Sequence, residues 1–271
     1  MSSGRLSGKV IVVTGGTGIL GNAFNKALIA ENAKIVILGR NKEVAQQRAL
    51  EINNSGGQAI AAIADVLDEH SLSKVCTEVL EKFGKIDGLI NAAGGNQAGA
   101  VVQPEADLFQ LNMSALRQVL DVNLFGTILP TQIFGKAMVT SAGKGSIVNI
   151  SSISAYKALS KVLGYGIAKT AIEGYTKWFA LELANRYKDA FRMNAIVPGF
   201  FLTEQNRNLL TNEDGSYTAR GEAVIRQTPY KRFGQPEELT GALIWLLSDE
   251  STFVNGSSII IDGGFLSFSG V

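Results

Sequence analysis

Short apolar segments alternate with longer segments of helical period along most of this chain of 271 residues. The apolar segments are rich in Val and Ile and are bounded by Gly or polar residues, a pattern that predicts strands. Between them, apolar residues recur every three or four positions, which predicts helices with one buried face. Strands are predicted at Lys9–Val13, Lys34–Leu38, Gln58–Ala64, Ile86–Asn91, Ser146–Ile150, Phe191–Val197 and Ser258–Ile261.

The predicted helices fall between these strands. Alternation of this kind favours right-handed crossovers and therefore an α/β fold, a Rossmann-like doubly wound parallel sheet with helices on both faces. The sequence shows no linker and no change in composition, so one domain over residues 1–271 is expected. The helices are predicted at Gly18–Ala30, Lys42–Ile52, Glu69–Phe83, Leu116–Met138, Tyr165–Tyr187 and Pro236–Ser248.

Two segments depart from the alternation. About thirty polar-rich residues, Gly199–Pro229, contain no predicted strand. Because long insertions in compact domains are usually functional, a substrate loop is predicted at about 199–229. Its expected apolar anchors are Phe200, Phe201, Leu209 and Leu210. The first eight residues, MSSGRLSG, are expected to form a short flexible arm, and they lack the apolar stretch of a signal peptide.

Composition narrows the classes of function. With 25 Lys and Arg against 24 Asp and Glu, the net charge of +1 gives no bulk preference for nucleic acid or an anionic membrane. The single Cys76 and single His70 exclude an intrachain disulfide and a Cys/His metal cluster, and no metal site is predicted. No apolar run approaches the roughly 20 residues that cross a bilayer. The sequence therefore predicts a cytoplasmic protein without a nucleic-acid or membrane partner.

A glycine-rich turn follows the first predicted strand. Gly16, Gly18 and Gly21 form GxGxxG between a strand and a helix. Glycines in that context let the backbone approach a dinucleotide pyrophosphate at the helix N-terminus. Arg40 follows the second strand, where an acidic residue would bind the ribose 2′-hydroxyl of NAD and an arginine accommodates the 2′-phosphate of NADP. NADP(H) is therefore favoured, although a solvated Arg40 and NAD(H) also fit the sequence.

Further residues lie at predicted strand ends, where ligands bind in such sheets. Asp65, after the third strand, either lies against the adenine or simply begins a helix. Asn91 and the small residues after it, NAAG, end the fourth strand. These positions are predicted to line the same cleft as the glycine-rich turn.

A tyrosine and a lysine on one predicted helix provide candidate chemistry. Tyr165 and Lys169 are four residues apart and therefore share a helix face, so the lysine ammonium can favour the phenolate. Such a tyrosine can act as general acid or base on an alcohol/ketone pair. Ser152 precedes the tyrosine by thirteen residues. An ordinary helix with a surface lysine is the alternative for this pair taken alone.

The motifs TGGTGILG, NAAG, DVNLFG, NISS, YGIAK and IVPGFF occur in order on the expected elements. With them, the chain resembles the short-chain dehydrogenase/reductase family along essentially its full length. The resemblance implies hydride transfer by a nicotinamide cofactor and a homo-oligomer, commonly a tetramer. It also implies a catalytic set of Asn123, Ser152, Tyr165 and Lys169, with Ser151 as the competing serine.

In that implied mechanism, Ser152 and Tyr165 bind the substrate oxygen and Tyr165 transfers the proton. Lys169 binds the nicotinamide ribose and tunes Tyr165, while Asn123 holds a water that relays protons. Cofactor contacts are expected from Gly15, Thr17, Gly18, Ile19, Leu20, Arg40, Asp65, Val66, Asn91, Ala92, Gly94, Tyr165, Lys169, Pro198, Gly199 and Thr203.

The substrate is expected to be a small polyhydroxylated anion. The loop after Pro198 is dense in amides, hydroxyls and arginines, and Arg207 or Arg220 could bind a carboxylate bidentately. The variable segments AGGN, TEQNRNLL and DGSYTAR resemble D-mannonate oxidoreductases (fructuronate reductases) of the short-chain type, which implies a D-fructuronate/D-mannonate pair. The predicted substrate contacts are Asn96, Ser152, Lys161, Asn206 and Arg207.

Three alternatives stay open at this point. A reductase of gluconate-type keto acids would keep the polar pocket, whereas a 3-oxoacyl reductase needs a groove for a long acyl arm. A cofactor-binding regulator without catalysis is a third, which the intact Ser152, Tyr165 and Lys169 oppose. The apolar segment 265–268 could pack against a neighbouring subunit or on its own core.

Overall fold

Seven parallel strands form one sheet in the order β3-β2-β1-β4-β5-β6-β7, in a computed structural model that describes residues 4–202, 207 and 209–270. Each predicted strand is present, with ends that differ by two residues or fewer. The fold is therefore the single-domain, Rossmann-like α/β fold that the alternation predicted. The strands are β1 Val10–Thr14, β2 Lys34–Gly39, β3 Gln58–Ile63, β4 Gly88–Asn91, β5 Gly145–Ile150, β6 Phe191–Pro198 and β7 Ser258–Ile261.

Helices cover both faces of the sheet, and each face has its own apolar core. The central strands are buried on both sides, because crossover helices pack above and below a parallel sheet. The α-helices within the described residues are α1 Ile19–Ala30, α2 Lys42–Asn54, α3 Glu69–Phe83, α4 Met113–Leu120, α5 Gly126–Ser141, α6 Leu163–Tyr187, α7 Ala219–Gln227 and α8 Thr240–Leu247.

The single helix predicted at Leu116–Met138 is wrong in one respect. The chain forms α4 and α5, with a turn of π-helix at Asp121–Phe125 between them. Pro130 lies in α5 and cannot donate to the carbonyl four residues earlier, so the helix is irregular just before it. Turns of π-helix often occur at functional sites, and this one carries Asn123.

The N-terminal segment is not a flexible arm over the residues that the structure describes. Leu6 is fully buried in the core beneath the sheet. Arg5 forms ion pairs with Glu31 and Glu250, and its amide donates to Glu31 at 2.8 Å. These contacts could not be predicted from the sequence, because one buried leucine in a short polar segment produces no periodic pattern.

The described part of the segment after β6 packs around a small core of its own. Leu210, Val224 and Phe233 pack together there, and α7 supplies one side of this core. Phe201 is also buried, but Leu209 is exposed, so its prediction as an anchor is wrong. Phe265 is buried against Phe200, at 5.3 Å between ring centroids, and thus packs within its own chain.

Candidate active site

The carboxyl ends of the central strands open into a cleft of about 550 Å³. Its walls come from the turn after β1, the ends of β2 to β6 and the N-terminal half of α6. Strand order reverses around β1 and β4, which is where ligands bind in open α/β sheets. The cleft therefore lies where the sequence predicted a dinucleotide site.

The glycine-rich turn is built for close approach of a ligand backbone. Gly15 has φ of +66°, and a Cβ there would lie 2.7 Å from the Ala92 carbonyl oxygen. A Cβ on Gly21 would lie 2.2 Å from the Gly15 carbonyl oxygen. No side chain caps the N-terminus of α1 at Gly18, so its first amides face the cleft without a side-chain acceptor. These features fit the pyrophosphate of a nicotinamide dinucleotide.

Side chains from behind hold this turn in place. Asn25 donates to the Gly16 carbonyl at 2.9 Å, and Arg48 donates to the carbonyls of Gly16 and Gly18 at 2.8 and 2.9 Å. The Thr14 hydroxyl accepts from the amide of Ala92 at 3.1 Å, which ties β1 to the end of β4. The turn is therefore fixed by polar contacts on the side away from the cleft.

Arg40 and Asp65 line the adenosine end of the cleft together. Their side chains approach to 3.7 Å, and the Arg40 side chain is 77% exposed. An exposed guanidinium can turn towards a 2′-phosphate, but the neighbouring carboxylate opposes a further negative charge there. The geometry is compatible with either nicotinamide dinucleotide.

Ser152, Tyr165 and Lys169 meet at the inner end of the cleft. The Ser152 hydroxyl lies within hydrogen-bonding reach of the Tyr165 phenol. The Lys169 ammonium lies 5.3 Å from the centre of the Tyr165 ring and donates to the Ile150 carbonyl at 2.8 Å. The spacing of four residues on α6 therefore brings amine and phenol to one face, as the sequence predicted.

Burial is the largest influence on the pKa values of Tyr165 and Lys169. Desolvation raises the pKa of Tyr165, and the bond from Ser152 only partly opposes it. Burial also lowers the pKa of Lys169 to about 8. The fall in the phenol pKa that the sequence predicted is thus not seen in the protein alone, because desolvation of the phenol itself outweighs the hydrogen bond from Ser152.

Asn123 is fully buried in the π-helical turn. Its amide donates to the carbonyls of Gly95 and Val119 at 2.7 and 2.8 Å and accepts from the Gly95 amide at 3.1 Å. A Cβ on Gly94 would lie 2.5 Å from the Asn123 Oδ1. Asn123 thus fixes the loop after β4 at the rim of the cleft.

Most residues predicted to contact the cofactor do line the cleft, but Asn91 does not. Its side chain lies between β4 and α5 and donates to Thr131 and Asn149, each at 2.9 Å. Strand alternation decides this, since Asn91 is the last residue of β4 and points to the face that α5 covers. Thr203 lies outside the described residues.

Of the predicted substrate residues, two line the cleft, two do not, and one lies outside the described residues. Asn96 lines the cleft with Ser152. Lys161 is not among the cleft-lining residues, and Arg207 instead lines a neighbouring cavity of about 720 Å³. Asn206 lies outside the described residues. Arg220, at the start of α7, does line the cleft and pairs with no acidic side chain within the described part of the chain.

Arg48 and Glu173 lie behind the cleft and were not predicted from the sequence as site residues. Arg48 lies three residues after the buried Ala45 and so shares its face of α2, which was a signal that its side chain is not fully solvated. Glu173 lies four residues beyond Lys169, the spacing that had already joined Tyr165 to Lys169. Within the described residues, no group of three or more His, Cys, Asp or Glu side chains could hold a metal. No described helix is long and apolar enough to span a bilayer.

A family model described as enoyl-(acyl carrier protein) reductase matches residues 15–266. An uncharacterized oxidoreductase, UxuB, of Bacillus subtilis (strain 168) is 42% identical over 276 residues, covering 98% of each chain. D-threitol dehydrogenase of Mycolicibacterium smegmatis is 34% identical over 96% of this chain and 94% of its own. The chain belongs to the short-chain dehydrogenase/reductase family, and it is an NAD(P)-dependent oxidoreductase of that type acting on an alcohol/ketone pair.

Two solved structures extend the comparison. A Haemophilus influenza protein, provisionally described as a D-mannonate oxidoreductase and crystallised with bound NAD, superimposes with a TM-score of 0.90 at 38% identity over 98% of each chain. A gluconate 5-dehydrogenase from Burkholderia cenocepacia, in complex with NADP and tartrate, gives 0.84 at 32% identity over 97% of each chain. Proteins similar to this chain therefore bind NAD or NADP.

Proposed function

We propose that this protein interconverts the ketone and alcohol forms of a small sugar acid, with D-fructuronate and D-mannonate as the pair. The observation that carries the proposal is the shared cleft: Ser152 and Tyr165 lie on its inner wall, and Arg220 contributes a cation that has no acidic partner among the described residues. A carbonyl beside the phenol and a carboxylate on the guanidinium would orient one small anion.

In the proposed mechanism, the side chains of this chain bind the substrate and move its proton. Ser152 donates a hydrogen bond to the carbonyl oxygen, and the Tyr165 phenol gives that oxygen its proton. Burial raises the pKa of Tyr165, so the phenol holds its proton until the oxygen becomes basic. The nicotinamide, when bound, supplies the hydride.

Lys169 and Asn123 complete the proposed proton path. The Lys169 ammonium, held by the Ile150 carbonyl, stabilises the tyrosinate that forms when Tyr165 gives up its proton. Asn123 keeps the loop at Gly95 in place. We also propose that Asn123 holds the water that relays protons, as the family resemblance implies. Oxidation of the alcohol runs through the same residues in reverse.

Arg220 is proposed to bind the substrate carboxylate. Among the described residues, four charged side chains line the cleft, and three of them have other partners or roles. Arg40 pairs with Asp65, and Lys169 lies beside Tyr165. Arg220 is the remaining one. A guanidinium on a carboxylate forms two parallel hydrogen bonds, which gives both affinity and orientation.

The experiment is a panel of substrates assayed with both reduced nicotinamides. D-Fructuronate, gluconate-type keto acids and 3-oxoacyl thioesters are each offered with NADPH and with NADH. We expect D-fructuronate to give the highest kcat/KM. Equal or faster turnover of 3-oxoacyl thioesters would overturn the sugar-acid assignment, and a faster gluconate-type keto acid would move it to that alternative.

NADPH is the proposed cofactor, supported by Arg40 at the end of β2 and by the lack of an acidic residue there. The Arg40→Asp variant should lose affinity for NADPH relative to NADH, because a carboxylate would face the 2′-phosphate. Fluorescence titration of each reduced nicotinamide measures this ratio. An unchanged ratio would show that Arg40 does not select the cofactor.

A further inference from the structure

Glu173 is a buried carboxyl group directly behind the proton-transfer pair. It lies on α6, four residues after Lys169 and eight after Tyr165, so the three side chains share one face of the helix. Glu173 is 7% exposed, although glutamate rarely occupies the interior without a partner. A buried carboxyl group at this place calls for an explanation.

The two carboxyl oxygens of Glu173 have different surroundings. One oxygen accepts from the Tyr156 hydroxyl at 2.7 Å and from the Ser258 hydroxyl. The other, Oε1, is buried and has no hydrogen-bond partner within the described residues. Two hydroxyls therefore fix the carboxyl group in place. Neither of them carries a positive charge, and Oε1 has no direct partner among the described residues.

The charge of Glu173 interacts with the Lys169 ammonium. Desolvation lowers the pKa of Lys169 to about 8, and the charge of Glu173 is the opposing cause. Because α6 separates the two residues by one helical turn, their attraction acts through the protein interior rather than through water.

We infer that Glu173 is a positioning residue that keeps the Lys169 side chain protonated at neutral pH, so that the ammonium is present when Tyr165 gives up its proton. The inference rests on the proposed roles of Tyr165 and Lys169. It does not depend on which sugar acid is the substrate.

The groups that face this pair come from four elements. Tyr165 lies on α6 itself, and Tyr156 comes from the turn after β5. Ser258 belongs to β7, and Asn123 to the π-helical turn. Tyr156 is the one that could mimic an effect of Glu173, because burial raises its pKa and it donates to the same carboxyl group.

The first experiment is an NMR titration of Lys169 in the protein without cofactor or substrate. Lysines carry ¹³C labels, and the Lys169 resonance is assigned by its loss in Lys169→Arg. In Glu173→Gln, we expect the titration midpoint of Lys169 to fall by roughly one pH unit, since a single charge one helical turn away is removed. Glu173→Asp keeps the charge and should restore much of the shift.

Two controls separate charge from structure. Tyr156→Phe removes a hydrogen bond from Glu173 but leaves its charge, so the Lys169 midpoint should stay near that of the wild type. Glu182→Gln removes a carboxylate from α6 on a surface position paired with Arg186, and it should also leave the midpoint unchanged. An equal shift in Tyr156→Phe and Glu173→Gln would mean that packing is the cause, and it would overturn the inference.

Kinetics give a second, independent readout. The alkaline limb of kcat/KM, measured with the best substrate of the panel, should move to lower pH in Glu173→Gln by the same amount as the NMR midpoint. An unmoved Lys169 midpoint in Glu173→Gln overturns the inference, whatever the substrate. If the wild type reduces no sugar acid but the midpoint still falls, the proposed substrate fails and the role of Glu173 stands.

Discussion

At the residue scale, the site depends on a balance between burial and charge. Lys169 and Tyr165 are each shifted towards their neutral forms by desolvation. Their spacing was readable from the sequence, because four residues on a helix fix a common face. The direction of the pKa shifts was not, since it depends on how far the surrounding strands and loops exclude water.

The first residue-scale prediction concerns pH. Lys169 is cationic below its pKa of about 8 and loses its proton above it, so kcat/KM for ketone reduction should fall as pH rises through that range. The raised pKa of Tyr165 keeps the phenol protonated there. A pH series of initial rates measures this limb, and a profile that stays flat through the alkaline range would contradict the role of Lys169.

The second residue-scale prediction concerns Arg220. Arg220→Gln should raise KM for the sugar acid by roughly 10- to 100-fold, the usual effect of losing a charge-assisted hydrogen bond. Turnover of a neutral ketose should change little. Arg226→Gln, on an exposed position of the same helix, is the matched control. Equal losses with charged and neutral substrates would remove Arg220 from carboxylate binding.

At the element scale, turns place the chemistry more than helices do. The glycine-rich turn was identified from its spacing, but its support by Arg48 and Asn25 was not, because no sequence motif marks a side chain that bonds to a turn carbonyl. The break between α4 and α5 was not predicted, because the apolar pattern continues across the π-helical turn and gives no sign of it. Local patterns identify elements well and their irregularities poorly.

The element-scale prediction compares two glycines. Gly21→Ala would bring a Cβ to 2.2 Å from the Gly15 carbonyl, so it should cost roughly 2 kcal/mol of unfolding free energy and weaken nicotinamide binding. Gly174→Ala, inside α6, meets nothing within 4 Å and should stabilise the protein by up to about 1 kcal/mol. Denaturant unfolding measures both, and a neutral Gly21→Ala would mean that the turn is not tightly packed.

At the scale of the whole molecule, the parallel sheet with helices on both faces was predictable, because strand–helix alternation with right-handed crossovers allows few arrangements. The assembly is less readable from one chain. Trp178 and Leu181 on α6 are about 60% exposed, which suits burial against a second copy. Phe265, by contrast, is already used in its own core.

We propose that the protein is a homotetramer in solution, a state that rests on the family resemblance. Light scattering should give a mass near four times 28.8 kDa. Trp178→Glu should lower that mass, because a charge would replace a large apolar side chain at the contact. A monomeric wild type would contradict the expectation.

The most direct test of the whole account compares Tyr165→Phe with the wild type in reduction of D-fructuronate, followed by nicotinamide absorbance. We predict measurable turnover by the wild type and a loss of at least about 100-fold in the variant, with nicotinamide binding nearly intact, since only the proton donor is removed. Turnover by Tyr165→Phe at close to the rate of the wild type would contradict it.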